Sequence, residues 1–175
     1  MPRWVTCQRR LRSKIAAVAV AVSCARPPDD SGALTISTDR NQALFRRYIT
    51  EVWDRGNINA LDTFLSPNYQ RHVSALAPPL SRDDQKQLLT NFRAAFPDIE
   101  LTVDDVLSDG DRIAFRSTIR GTHLGPFRGF SPTGRRVTVG LVDIIRIKDE
   151  QFVEQWGGPD LLDLLRQITP QHSNS

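Results

Sequence analysis

Cysteine is scarce in this 175-residue sequence, and its two cysteines, Cys7 and Cys24, both lie near the start. Residues 41–175 therefore offer no thiol for a disulfide, a cysteine nucleophile or a zinc–thiolate site. The three histidines are too widely spaced for a His-x-x-x-His metal motif. We accordingly expect no metal and no cofactor.

Several other signatures are missing. The sequence has no Gly-x-Gly-x-x-Gly, no phosphate-binding loop and no Gly-x-Ser-x-Gly, which argues against nucleotide-dependent enzymes and serine hydrolases. It also lacks an apolar run long enough for a transmembrane helix and any repeat of solenoid length. The length and ordinary composition indicate one globular domain.

Excess positive charge is confined to the beginning of the chain. Residues 1–40 carry seven Lys/Arg and three acids, whereas residues 41–175 carry 16 and 17. A domain that is close to neutral can gain little from releasing counterions on DNA or RNA. We therefore predict no nucleic-acid partner.

Residues 1–39 are interpreted as a leader and linker. Basic residues 3–14 precede the apolar run 15–22, and Ala21-Val22-Ser23 has the spacing of a cleavage site, which is typical of a signal peptide. Cys24 also suggests lipid anchoring. The alternative is an N-terminal extension on a cytoplasmic protein. The domain itself is predicted over 40–168, followed by a polar tail, 169–175.

Hydrophobic periodicity predicts an α+β domain. Three helices with one short strand come first, then four strands, then a final helix. This order indicates a curved antiparallel sheet with helices packed on its concave face and a pocket between them. The predicted helices are 41–54, 58–65, 82–95 with Ser81 as N-cap, and 159–168 beginning at Pro159; the predicted strands are 69–73, one starting at 99, 112–122, 136–147 and 151–156.

The strand at 137–147 contains the main candidate for chemistry. Its odd positions are aliphatic except for Asp143, so this carboxylate is expected to point inward with its neighbours. A buried carboxylate has a raised pKa and can act as a general acid or base near neutral pH. The structural alternatives are an ion pair with an arginine, or a bulge near Gly140 that reverses the alternation.

Further candidates line the expected pocket. His123 continues the inward register of its strand, where it could hydrogen-bond Asp143 or polarise a carbonyl group. His72 is a weaker candidate. Aromatic surface for an apolar ligand is expected from Tyr48, Trp53, Phe115 and Trp156.

Five strings resemble the SnoaL-like polyketide cyclase or ester cyclase family of the nuclear-transport-factor-2-like superfamily. They are Ala94-Ala95-Phe96-Pro97-Asp98-Ile99, Gly121-Thr122-His123-Leu124-Gly125, Ser131-Pro132-Thr133-Gly134-Arg135-Arg136, Val142-Asp143-Ile144-Ile145-Arg146 and Val153-Glu154-Gln155-Trp156. The resemblance implies a cone-shaped α+β barrel, commonly dimeric, that closes a ring in a polyketide ester by a cofactor-free aldol reaction. Asp143 matches the family's acid/base aspartate, and His123 would donate a hydrogen bond to the oxyanion. Where many relatives have Glu-His-Trp, this chain has Gln155 in place of the histidine.

Two other functions are consistent with the same fold. An epoxide-hydrolase-like enzyme would need Arg116 or Arg146 beside Asp143, yet both lie in the opposite register. A non-catalytic module for binding a small molecule or for dimerisation would need no acid/base chemistry.

Overall fold

The computed structural model of the chain describes residues 31–169, with side chains from residue 39 onward. Residues 1–30 of the predicted leader and linker, with both cysteines, and residues 170–175 of the predicted tail, with His172, lie outside the described residues. No helix within 31–169 is both long and apolar enough to span a membrane.

The helices differ from the predicted ones mainly at their ends. The first, α1, begins at Ser31 and not near Asn41: residues 33–40 contain neither glycine nor proline, so nothing in them interrupts the helix. The last, α4, begins after Pro159, which closes a strand; Asp160 caps the helix by accepting a hydrogen bond from the Asp163 amide. The helices are α1 Ser31–Tyr48, α2 Leu61–Phe64, α3 Arg82–Ala95 and α4 Leu161–Ile168.

Five strands form one sheet in the order β1-β5-β4-β3-β2. Every neighbouring pair is antiparallel except β1 and β5, which run parallel. The sheet is therefore mixed, which corrects the expectation of an antiparallel sheet: residues 73–150 separate β1 from β5, so no hairpin fixes their direction. The strands are β1 Leu65–His72, β2 Glu100–Asp109, β3 Arg112–Thr122, β4 Arg136–Lys148 and β5 Gln151–Pro159.

The sheet curves into the cone-shaped α+β form predicted from the sequence. Alternate residues of β3 and β4 are buried on its concave face, where α1 and α3 contribute Phe45, Tyr48, Leu89 and Phe92 to the same core. The capping box predicted for α3 is present: the Ser81 hydroxyl accepts from the Asp84 amide, and the Asp84 carboxylate accepts from the Ser81 amide. Helices α1 and α3 therefore cover the concave face of the sheet.

A π-helical segment, Ile49–Asp54, continues α1 toward the mouth of the cone. Such segments are rare and often occur at functional sites. The Arg93 guanidinium on α3 donates hydrogen bonds to the backbone carbonyls of Val52 and Trp53. This contact ties the end of the segment to α3 and holds the backbone of Trp53 in place.

Candidate active site

Asp143 lies in the middle of β4 and faces the concave side of the sheet. It is 4% exposed, and its inward orientation follows the alternation of β4, which no bulge interrupts at Gly140. On the neighbouring strands it pairs with Phe115 and Gly157. The fold therefore places one carboxylate among aliphatic and aromatic side chains.

Arg71 is the cation nearest to this carboxylate. It is 6% exposed, and its Nη2 lies 3.7 Å from Asp143 Oδ1, an ion pair that is too long for a hydrogen bond. Arg71 Nη1 donates to Oε1 of the buried Gln85, 2.9 Å away on α3. The guanidinium is thus held by a neutral amide and lies beside the carboxylate.

Gln155, on β5, makes the second polar contact to Asp143. The Tyr69 hydroxyl donates to Gln155 Oε1 at 2.5 Å, which leaves the amide N–H groups of Gln155 free to donate. The side-chain amide of Gln155 acts on the neighbouring Asp143 and lowers the pKa of this carboxyl. Gln155 is therefore held by Tyr69 with its amide N–H groups beside the carboxylate.

Burial raises the pKa of Asp143 above its ordinary value, because desolvation disfavours the charged form. The positive charge of Arg71 and the hydrogen bond from Gln155 act in the opposite direction but do not cancel it. Asp143 Oδ1 has no hydrogen-bond partner among the described residues. This oxygen is available to take a proton from a bound molecule.

The pocket around Asp143 is apolar and narrow. Its cavity has a volume of about 40 Å³, enough for a few water molecules. Of the wall residues, Trp53, Leu88 and Pro159 are partly exposed and mark the rim toward solvent. The walls are formed by Tyr48, Trp53, Arg71, Leu88, Leu89, Phe92, Leu101, Phe115, Ile119, Leu141, Asp143, Gln155 and Pro159.

Two adjacent glycines at the end of β5 make room for the Asp143–Arg71 pair. A Cβ on Gly157 would lie 2.1 Å from the Val142 carbonyl oxygen and 2.8 Å from Asp143 Oδ1. A Cβ on Gly158 would lie 3.3 Å from Arg71 Nη2. Because Gly157 has a φ of 109°, a side chain there would also strain the backbone.

The model of the SnoaL-like polyketide cyclase family matches residues 43–168, which include every wall residue of this pocket. The chain belongs to the SnoaL-like polyketide cyclase family. A comparison with curated proteins finds no significant match.

Solved structures of similar proteins agree with this assignment. AclR from Streptomyces galilaeus, a proposed hydroxylase, is 30% identical with a TM-score of 0.70, covering 77% of this chain and 100% of AclR. TsrD from Streptomyces laurentii is 31% identical with a TM-score of 0.65, covering 74% of this chain and 95% of TsrD. IdmH from Streptomyces antibioticus, a proposed polyketide cyclase, is 28% identical with a TM-score of 0.63, covering 73% and 97%.

His123 does not meet Asp143 in this SnoaL-like domain. It follows the end of β3, eight residues beyond the Phe115 that pairs with Asp143, which corresponds to roughly 26 Å along a strand. Its ring is buried beside Phe96, and its Nδ1 lies 3.0 Å from Thr133 Oγ1. His123 is buried, as its register predicts, but its distance along the strand keeps it out of the pocket.

His72 and Trp156 also lie outside the pocket wall. They are paired between β1 and β5 and stack with ring centroids 5.3 Å apart and an angle of 11°. Trp156 pairs with the exposed Ile144, which places the stack on the convex face. The other three aromatic candidates, Tyr48, Trp53 and Phe115, do line the pocket, and the Trp53 indole donates to the Tyr48 hydroxyl at 3.3 Å.

Arg71 is the functional-site residue that the sequence analysis missed. The pattern that could have indicated Arg71 is the alternation of β1, in which Tyr69 and Arg71 are buried while Gln70 is exposed. Tyr69 and Val73 are the apolar members of this register, and His72 belongs to the other one. Among the described residues, no group of three or more His, Cys, Asp or Glu side chains is arranged to hold a metal ion.

Substituting Gly157 by alanine should damage the site. We expect Gly157→Ala to lower the free energy of unfolding by about 1–3 kcal/mol more than Gly129→Ala, because only Gly157 combines positive φ with a steric clash. Gly129, with a φ of 86° and no atom near its Cβ position, is the matched control. Urea denaturation of the two variants measures the difference, and equal losses would contradict the packing described for Asp143.

The raised pKa of Asp143 has a consequence for stability. Between its ordinary pKa of 3.8 and its raised value, the folded state binds more protons than the unfolded state. The stability contributed by this group is therefore complete below about pH 3.8 and is lost as the pH rises through the folded-state pKa.

Urea denaturation over a pH series tests this sign. As the pH rises, the free energy of unfolding of the wild type should fall relative to that of Asp143→Asn. The exposed Asp105→Asn variant controls for the loss of one negative charge. If the free energy of unfolding of the wild type stays constant or rises relative to that of Asp143→Asn as the pH rises, burial does not raise the pKa of Asp143.

Proposed function

We propose that the chain is an ester cyclase that closes a ring in a hydrophobic, polyketide-derived small molecule by cofactor-free acid/base chemistry. The observation that carries this proposal is Asp143: a buried carboxylate with a raised pKa and an unpartnered Oδ1 in an apolar, partly aromatic pocket. Buried acids with these features are suited to proton transfer near neutral pH. Membership of the SnoaL-like family supports the same reaction class.

The proposed reaction is an aldol addition with Asp143 as the acid/base group. The carboxylate takes a proton from the α-carbon of the substrate, and the electron pair of the broken C–H bond forms an enolate. The enolate carbon attacks a second carbonyl group of the same molecule, which forms the C–C bond and leaves an alkoxide. The alkoxide takes the proton back from Asp143, so that no oxidant, reductant or metal is consumed.

A substrate of this class requires the pocket to widen. A cavity of about 40 Å³ is far smaller than the roughly 300–1,000 Å³ of pockets that hold drug-sized molecules. The rim residues Trp53 and Leu88 lie on different elements and contact solvent, so moving their side chains opens the pocket without breaking the sheet. Aromatic walls then supply flat apolar surface for the ligand.

The epoxide-hydrolase alternative is less well supported. Arg116 and Arg146, the arginines considered for it, pair with Asp104 and Glu154 in the register opposite to Asp143. Among the residues that line the pocket, Asp143 is the only carboxylate, whereas an Asp-Arg-Asp arrangement needs two. No specific observation favours the non-catalytic alternative over the cyclase.

Replacing Asp143 should abolish proton transfer. Aromatic polyketide methyl esters with an activated α-C–H are incubated with the protein in D₂O, and mass spectrometry follows both deuterium uptake and ring closure. We expect Asp143→Asn to lower the exchange rate about 10²–10⁴-fold, the usual contribution of a general base. Asp105→Asn, an exposed carboxylate on β2, should leave the rate unchanged.

The exchange reaction separates the alternatives. Deuterium uptake that persists in Asp143→Asn would rule out this residue as the base. Binding of the esters without exchange by any form of the protein would favour the non-catalytic module.

We further propose that the chain forms a homodimer through the convex face of its sheet. Val142 is 59% exposed and Ile144 is 41% exposed in the middle of β4, and the His72–Trp156 stack adjoins them. Exposed apolar side chains at the centre of a sheet are typical of a contact surface, and a second copy of the same face is the simplest partner.

A charge on this face should separate the dimer. We expect Val142→Glu to be monomeric in analytical ultracentrifugation at concentrations where the wild type is dimeric, because a charged group would replace an apolar one at the centre of the contact and would lose its hydration there. Lys148→Glu, near the end of the same strand face, is the control and should remain dimeric. A monomeric wild type, or a dimeric Val142→Glu variant, would contradict the proposed interface.

A further inference from the structure

Arg71 has hydrogen-bonding capacity that the folded protein does not use. A guanidinium carries five N–H donors. Among the described residues, the one hydrogen bond found for this side chain is from Nη1 to Gln85, and the buried Nε has no partner. A buried arginine with free donors loses hydration without full compensation, which is unfavourable unless another molecule supplies acceptors.

Asp143 does not supply these acceptors. Arg71 Nη2 and Asp143 Oδ1 are 3.7 Å apart, and Asp143 Oδ1 is itself without a hydrogen-bond partner. Both groups line the same pocket. A free donor and a free acceptor therefore lie side by side, with a gap between them that is longer than a hydrogen bond.

We propose that Arg71 binds the carbonyl oxygen of the substrate and stabilises the negative charge that this oxygen acquires when Asp143 removes the neighbouring α-proton. This inference rests on the proposed function, since it assigns a second catalytic residue to the same reaction. Arg71 donates through Nη2 and Nε, while Gln85 holds Nη1 in place.

The distance between Arg71 and Asp143 allows one group to bind the carbonyl oxygen while the other takes the α-proton. In a ketone or ester, the α-carbon and the carbonyl oxygen are separated by two bonds, or roughly 2.4 Å. When the carbonyl oxygen of the substrate is bound to Arg71, its α-proton therefore lies within reach of a base that is next to Arg71, as Asp143 is. The Asp143–Arg71 separation of 3.7 Å meets this requirement.

Charge balance favours a neutral substrate. Before the reaction, the pocket holds one negative charge on Asp143 and one positive charge on Arg71. When the α-proton moves to Asp143, the carboxylate becomes neutral and the enolate oxygen takes over the negative charge beside Arg71. The total charge stays zero throughout, which avoids the large cost of creating net charge in a poorly hydrated site.

Two neighbouring residues, Gln85 and Gly158, keep the Arg71 guanidinium in position to bind the carbonyl oxygen. Gln85 is buried and neutral, so it orients the guanidinium without neutralising it. Gly158 leaves the space beside Nη2 open, because a Cβ there would lie 3.3 Å from this nitrogen. The cation is therefore fixed in position while its charge remains available to the ligand.

The probe for this proposal is 2-acetyl-1-tetralone, an aromatic 1,3-diketone whose enol and enolate differ in ultraviolet absorption. Its ionisation is titrated when bound to Asp143→Asn and to the double variant Asp143→Asn/Arg71→Gln. Removing both charges together avoids leaving a buried carboxylate without its partner, so the double variant should fold. The Asp143→Asn background also removes the protein's own base.

We expect the bound diketone to have an acid dissociation constant about 10- to 100-fold higher in Asp143→Asn than in the double variant, the effect of a charge-assisted hydrogen bond. Equal constants in the two variants, or no saturable binding by Asp143→Asn, would overturn the role of Arg71. Arg116→Gln in the same background, on the convex face, is the control for loss of a positive charge.

This result is independent of whether Asp143 is the base. If Asp143→Asn keeps its deuterium exchange, the proposed function fails even when the diketone titration supports Arg71. If exchange is lost but the titration does not depend on Arg71, only the present inference fails.

In the wild-type background, Arg71→Lys should lower the deuterium exchange rate about 10²–10³-fold with little change in KM, since the contact between Arg71 and the carbonyl oxygen strengthens as negative charge develops on that oxygen.

Discussion

The burial of one carboxylate is the constraint on which the rest of the site depends. Asp143 faces the concave side of β4 because every other residue of that strand does, and the fold must then compensate a charge taken out of water. Arg71 supplies an opposite charge and Gln155 a hydrogen bond, while Gly157 leaves space for the carboxylate oxygen. The compensation is incomplete, and the proposed reaction depends on the unpaired Oδ1 that results.

The compensating residues come from distant parts of the chain. Arg71 lies on β1, which joins the sheet in parallel beside β5, and this pairing brings Arg71 opposite Gln155. Gln85 approaches from α3, and Tyr69 holds the amide of Gln155. The parallel strand thus delivers the cation and the residue that orients Gln155, so the mixed topology of the sheet is directly connected to the chemistry of the pocket.

Alternation within a strand could be read from the sequence, whereas contacts between strands could not. The regular pattern of β4 is enough to predict that Asp143 points inward. Asp109-Gly110, a dipeptide typical of hairpin turns, joins β2 to β3. In β1 the same alternation is present and buries Arg71, but an arginine in a short strand is usually exposed, so its residue type alone does not mark it as a pocket residue. The alternation of β3 predicts that His123 is buried, but the residues that it contacts depend on its position along the strand, and it contacts Thr133 and not Asp143.

Native mass spectrometry of the protein from its own host, purified gently enough to keep the pocket occupied, tests the central claim most directly. If Asp143 is the acid/base group, the Asp143→Asn variant should carry an aromatic polyketide ester in its unconverted form, while the wild type carries the isomeric ring-closed product or is empty. An inert passenger bound equally by both forms would contradict a catalytic role for Asp143.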